Sequence, residues 1–376
     1  MKNNRLGVTF WLSCFIIAKG CTLLTAGEID PQRGNPDPDG KITWYDGSLL
    51  TLAGKAWTNT ESYYDRLPAK AKAVVPKDVW DFSRDAAGMF LRFSSDASSL
   101  DVRWALVKND MGFPHMPATG VSGIDLYIKD DQGNWVFDAV GRPRNISKNK
   151  AHFSLTPGAQ YLLYLPIYNG LKSLDFGIPK DKHLSTPDPI DPKTHKPIVF
   201  YGTSITQGGC ASRPGMSATT LVGRRLDIPI INLGFSGSGR MEPELANLLA
   251  ELDPAVYVVD CLPNMTTRWI AERTEPFVKI LRQTHPDTPI LLVEDSSFKH
   301  ITPTEKGIVL RQIHEKLRKD GDKNLYFLSN EGMLGSDFDG TVDGVHPNDL
   351  GMSRRAEVFI KALTPLLHLP ASAAKP

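Results

Sequence analysis

The chain has 376 residues, 41% of them hydrophobic and 23% charged, a balance typical of globular proteins and enough chain for two cored domains. Its 43 basic and 42 acidic side chains leave a formal net charge of +1. So even a balance offers no field for nucleic acid or anionic lipid, and neither is expected as a partner.

The N-terminus reads "MKNNR", a short basic region, followed by the apolar "LGVTFWLSCFIIAKGCTLLTAG" with a small-residue end near Ala26. This order resembles a secretory signal over residues 1–26, and predicts export to a bacterial periplasm or to the outside of the cell. Lys19 interrupts the apolar run, so no integral membrane span is expected in the mature chain. An uncleaved anchor is the alternative, and Cys21 after Lys19-Gly20 fits a lipoprotein site poorly. Of the four cysteines, Cys14 and Cys21 lie in this segment and Cys210 and Cys261 beyond it.

Residues 28–184 read as a β-domain. In "GMFLRFSSDASSLDVRWAL", Met89, Leu91 and Phe93 alternate around Phe90 and Arg92, and a Ser/Asp turn leads to a second alternating run. "DLYIKDDQGNWVFDAV" predicts a hairpin turning at Asp130–Gly133, and "YLLYLPIYNGLKSLDFGI" two more strands around Asn169-Gly170. The spacing implies a β-sandwich or jelly roll. Trp44, Trp57, Trp80, Trp104 and Trp135 fall here. They suit either core packing or a surface that stacks on sugar rings.

"STPDPIDPKTHKP" (185–197) is a linker, since its four prolines block helix and central strand. From 198 to 370 short apolar runs ("PIVFYG", "PIINLG", "AVYVVD", "PILLVED", "NLYFLS") alternate with helix-period stretches. That is the pattern of a three-layer α/β/α domain on a parallel five-stranded sheet, with chemistry expected beyond the strand C-termini.

Four such strand ends carry candidates. Ser204 follows the first, in "VFYGTSITQGG". A serine attacks only when a base takes its proton and donors face the developing oxyanion. "DGVHPN" places Asp343 three residues before His346, close enough for its carboxylate to orient the imidazole toward a serine; Asp-Gly before a proline is also ordinary turn chemistry. Gly237 in "NLGFSGSGR" and Asn264 in "DCLPNM" are candidate donors, although the glycine also fits a flexible helix lead-in and the asparagine a turn or cap. No metal or other cofactor is required, and no histidine pair has ligand spacing. His314 lies within a helical pattern. Glu294, Asp295 and Ser296 end the fourth strand and could face a polar substrate or solvent. Arg213 and Arg240 flank the blocks and suit either an acidic sugar or surface ion pairs. A disulfide between Cys210 and Cys261 would pin two of the loops together, if the distance permits one.

Taken in this order, "GTSIT", "NLGFSGSG", "CLPNM" and "DGVHPN" resemble the GDSL-like SGNH hydrolase superfamily. "SGIDLY" (122–127) looks like the GxDLY signature of the β-domain that precedes some of these esterases. The resemblance implies Ser204 as nucleophile and His346 as general base, with Asp343 orienting it. It implies an oxyanion hole of the Ser204 and Gly237 N–H groups plus the Asn264 amide. Two departures stand out: Thr203 replaces the family's aspartate before the serine, and "CLPNM" replaces Gly-x-Asn-Asp. The expected function is a secreted serine esterase removing short acyl groups, acetyl above all, from acylated carbohydrate. The alternatives are a short-acyl lipid esterase similar to platelet-activating-factor acetylhydrolases, or an inactive carbohydrate-binding protein.

Overall fold

The computed structural model describes residues 27–188, 191, 195–296 and 302–370. The export-signal reading of residues 1–26 lies outside the described residues. Among the described residues no helix is long and apolar enough to cross a membrane.

The N-terminal half is a sandwich of two antiparallel sheets. One contains Phe90–Ser95, Gln160–Tyr164, Ile124–Lys129 and Trp135–Gly141, with Thr51–Ala53, Leu184–Thr186 and Gly27–Glu28 at its other side. The second runs Asn35–Pro36, Ile42–Asp46, Leu171–Pro179, Ser99–Leu106, Asn149–Ser154. Leu91, Phe93 and Leu163 from the first sheet meet Val102, Trp104 and Phe176 from the second in one core.

The expected alternation holds at Met89, Leu91 and Phe93, all buried, while Phe90 and Arg92 are half-exposed. "DLYIKDDQGNWVFDAV" forms the hairpin its turn predicts, with a register shift at Leu126/Tyr127. The runs on either side of "SDAS" and of Asn169-Gly170 do not pair with each other. In each case the chain crosses from one sheet to the other. Alternation specifies which side of a strand is buried but not which strand lies beside it, so a short turn signal suits an arch as well as a hairpin. The segment expected as linker begins inside a strand, since Ser185 and Thr186 complete Leu184–Thr186.

The C-terminal half holds five parallel strands: β1 (Ile198–Gly202), β2 (Ile230–Gly234), β3 (Val256–Asp260), β4 (Ile290–Val293) and β5 (Leu325–Leu328), in the order β2-β1-β3-β4-β5. Successive side chains face opposite ways, as in any strand. Val199, Tyr201, Tyr257 and Val259 meet helices Pro243–Leu249, Thr267–Thr284 and Glu305–Lys319 on one side. Ile198, Phe200, Val256 and Val258 meet Ala218–Leu226 and Asp349–Leu366 on the other. Ser217, Thr266, Thr304 and Asn348 cap four of these helices through side-chain oxygens.

The two halves share a core. Trp57, Leu67, Val75, Val79 and Trp80 of the N-terminal half pack in the same cluster as Leu245, Leu249 and Phe277. Val79 and Trp80 sit on a short helix, Lys77–Ser83, that has no counterpart in the alternating pattern. Trp44, Trp57, Trp80 and Trp104 are all under 10% exposed, so they are packing residues rather than a sugar-stacking face.

The SGIDLY signature explains itself in this frame. Ile124 and Leu126 point into the sandwich core, and Asp125 and Tyr127, one residue out of phase, point at the α/β half. Asp125 accepts from Arg213 Nη1 at 2.8 Å and from the Gly215 N–H at 3.1 Å. Tyr127 accepts from the same arginine, and the Arg224 guanidinium lies 4.0 Å from its ring centroid. Gly123 has no room for a Cβ, which would come 2.4 Å from Thr119 O. Of the two flanking arginines, Arg213 is thus committed to this joint.

Candidate active site

At the end of β1 the chain turns into a one-turn helix, Ser204–Gln207. Thr203, in place of the family's aspartate, caps it by accepting the Ile205 N–H at 3.3 Å. Ser204 is its first residue, so its own N–H has no intrahelical partner and points outward from the helix start. Thr206 donates to Asp260 Oδ2 at 2.9 Å, and buried Arg355 donates to the same oxygen at 2.7 Å, which fixes the turn against β3. Gln207 donates to Ile167 O (3.0 Å) and Asp85 Oδ2 (3.1 Å) of the sandwich and accepts the Ser236 N–H at 3.0 Å. Every side of the serine turn is therefore held.

His346 stands in the middle of a hydrogen-bond relay. Its Nε2 lies 2.9 Å from Ser204 Oγ, and its Nδ1 lies 2.7 Å from Asp343 Oδ2. The second carboxylate oxygen of Asp343 accepts the backbone N–H groups of His346 (2.8 Å) and Val345 (3.0 Å). Partial burial pushes the Asp343 carboxyl up, but these N–H groups and the imidazole outweigh it and hold the carboxyl at about 2. Asp343 therefore stays ionised at neutral pH and fixes the proton on Nδ1, leaving Nε2 to accept from the serine.

The donor side is built from the loops after β2 and β3. Gly237 adopts φ +66°, a left-handed conformation that favours glycine, and its N–H has no partner among the described residues. Asn264 donates through Nδ2 to Ser238 O at 2.7 Å, which ties the β3 loop to the residue beside Gly237. An amide nitrogen carries two hydrogens, so one remains to donate. The structure thus brings Ser204, His346 and Asp343 into direct contact and joins the Gly237 and Asn264 loops beside them.

The disulfide expectation is overturned. Cys210 and Cys261 are both free thiols. Cys261 faces the helices packed on one side of the sheet and Cys210 the helices on the other, so the sheet stands between them. Cys261 donates weakly to Tyr201 O at 3.8 Å. Burial, together with the nearby Asp343 charge, pushes the Cys210 thiol up to about 12. Glu294 is also not a substrate group: it is fully buried and accepts the Thr304 N–H (2.6 Å) and Asn330 N–H (3.3 Å), knitting two loops together. His314 is half-buried on its helix, its Nε2 3.2 Å from Leu325 O.

A family profile described as GDSL-like lipase/acylhydrolase matches residues 195–364, and one for the GxDLY N-terminus of SGNH-hydrolase-type esterases matches 42–184. A Bacteroides ovatus protein described as a GDSL-like lipase is 35% identical with a TM-score of 0.80, over 88% of this chain and 99% of its own. The chain belongs to the GDSL-like SGNH hydrolase family. Two more distant members of the fold align along nearly their whole length. The salicylyl-acyltransferase SsfX3 of a tetracycline biosynthetic pathway (19% identity, TM-score 0.69) covers 91% of this chain and 99% of its own. A family two carbohydrate esterase of Cellvibrio japonicus (14%, TM-score 0.54) covers 92% and 98%. Comparison with functionally curated sequences gives no match. Within the SGNH frame, sequence reasoning missed the sandwich residues at the site, Tyr168, Phe113 and His115. Tyr168 donates to Ser204 O at 3.3 Å, and His115 lies ring to ring with His346 at 6.0 Å. Their loops carry no motif, and only the three-dimensional joint brings them here.

Proposed function

We propose that this SGNH hydrolase is an exported serine esterase that removes short acyl groups, acetyl above all, from carbohydrate through an acyl-serine intermediate. The observation that carries the proposal is the unbroken Ser204–His346–Asp343 relay, with contacts of 2.9 and 2.7 Å. His346 Nε2 takes the Ser204 proton as Oγ adds to the ester carbonyl. The oxyanion is met by the Ser204 and Gly237 N–H groups and the Asn264 amide. Collapse breaks the ester C–O bond, the His346 proton passes to the departing alcohol, and the acyl group stays on Oγ. Water, deprotonated by the same histidine, then releases the acid. The complete relay weighs against an inactive binding protein, and the carbohydrate-esterase neighbour supports a sugar ester as substrate.

One observation favours the lipid alternative. Phe338, Val342 and Val345 on the His346 loop and Leu350 in the first turn of the helix after it are each more than 40% exposed. Such an apolar rim suits an acyl chain or a lipid surface. Hydrolysis of 4-nitrophenyl acetate by wild type and Ser204→Ala tests the mechanism, and equal rates would refute it. Acetate release from acetylated oligosaccharides against short-acyl phospholipids then separates the two substrates.

A further inference from the structure

On the esterase reading, the alcohol that leaves Ser204 must receive its proton from His346, so it must lie beside that imidazole. The group standing there comes from the sandwich. Phe113 and Met116 exchange both backbone hydrogen bonds, Phe113 N–H to Met116 O at 2.9 Å and Met116 N–H to Phe113 O at 3.0 Å. Pro114 and His115 are therefore the tip of a tight two-residue turn. Met116, 3% exposed, anchors the turn in the core shared with helices Ala218–Leu226 and Asp349–Leu366. At its base the Asn169 amide donates to Lys108 O and Asp110 O, both at 3.2 Å.

The His115 ring centroid lies 6.0 Å from that of His346, tilted by 47°. Phe113 lies 6.2 Å from His115, close to parallel, and 6.1 Å from Tyr168 edge-on. Tyr168 completes the row by donating to Ser204 O. His152, His183, His285 and His314 all spend a ring nitrogen on a carboxylate or a carbonyl. The exposed His115 differs: among the described residues neither of its ring nitrogens has a hydrogen-bond partner. A firmly held imidazole beside the proton-transfer group thus keeps both ring nitrogens available to a ligand.

We propose that His115 and Phe113 form the subsite for the alcohol half of the ester, a sugar ring, so that the sandwich sets the specificity of the α/β half. Phe113 offers an apolar ring to the C–H face of a pyranose, and His115 offers one donor and one acceptor to its hydroxyls. The proposal rests on the esterase reading but is tested separately. The measured quantity is the ratio of kcat/KM on acetylated cellotriose to kcat/KM on 4-nitrophenyl acetate, whose leaving group has no hydroxyl ring. His115→Ala should lower this ratio about ten-fold, the worth of roughly one hydrogen bond. His115→Gln, which keeps a donor and an acceptor, should restore most of it. An unchanged ratio, or an equal fall on both substrates, would overturn the subsite. Cellotriose titrated into Ser204→Ala must also shift the His115 ring resonances, and no shift would overturn it whatever the kinetics. Failure of the serine mechanism would show elsewhere, as 4-nitrophenyl acetate hydrolysis by Ser204→Ala at the wild-type rate.

Discussion

Replacing Asp125 by asparagine removes one charge from the joint between the two halves and alters almost nothing else in shape. The carboxylate is fully buried and lies 2.8 Å from Arg213 Nη1, whose side chain is 19% exposed. Its loss leaves a largely buried guanidinium without its countercharge, and leaves the Gly215 N–H with a weaker acceptor. Breaking a buried pair from one side costs about 3–5 kcal/mol. The partial exposure of Arg213 screens it, which places the expected cost at the lower end, near 3 kcal/mol. Unfolding entropy scales with chain length, and for 376 residues it comes to about 0.8 kcal/mol per degree near the midpoint. Asp125→Asn should therefore lower Tm by about 4 °C in differential scanning calorimetry. Arg213→Met should cost a similar amount. The double variant should be less damaged than the sum of the singles by at least ~1 kcal/mol, because the two act on one contact. Additive effects, or a Tm change of less than about 1 °C for Asp125→Asn, would refute the claim that the signature aspartate holds the joint.

Asn264→Ala should lower kcat about 10²–10³-fold on 4-nitrophenyl acetate while KM moves little, as expected for a donor used in the transition state. Asp343→Asn should lower kcat by up to about 10⁴-fold through loss of the correct imidazole tautomer. The folded Asp343 carboxyl, at about 2, lies below its ordinary value of 3.8. Its stabilising contribution is therefore fully present above about pH 4 and disappears as pH falls through 2. The acid limb of kcat/KM should consequently follow a group other than Asp343, and a limb centred at 2–3 that vanishes in Asp343→Asn would contradict this. Cys210 and Cys261 should both react with a thiol reagent in unreduced, denatured protein and hardly at all in the native state, since both are buried and free.

The parallel sheet and its helices were legible because each strand is a continuous apolar run and four of the helices begin at a serine, threonine or asparagine able to cap them. Ser204 and His346 stood out for a similar reason: strand ends in a parallel sheet converge on one edge, so residues 142 apart in sequence could be placed together. The sandwich was less legible. Its alternation identified buried faces at Leu91 and Phe93 but could not distinguish a hairpin from an arch. The joint was not legible at all. Asp125 sits in a recognisable signature that says nothing of its partner, because the carboxylate meets Arg213 only after both halves have folded. Cys210 and Cys261 show the converse, since nearness to the same loops in sequence said nothing about the sheet between them.

Arg66 belongs to the sandwich half, yet among the described residues its fully buried guanidinium bonds no carboxylate. It donates to four carbonyls: Phe82 O (2.6 Å) and Asp85 O (2.9 Å) in its own half, and Asn232 O (3.0 Å) and Gly234 O (2.8 Å) on β2. Those last two residues lead directly into the Gly237 loop. An α/β half released by proteolysis between the domains would keep every residue of the relay and lose the clamp that sets where β2 stops. It would also turn the Trp57–Trp80 contact surface out to water. The halves are consequently not interchangeable parts. A sandwich transplanted from another family member would have to bring an arginine of equal reach, or the recipient would inherit an intact Ser204 relay beside a displaced Gly237 loop.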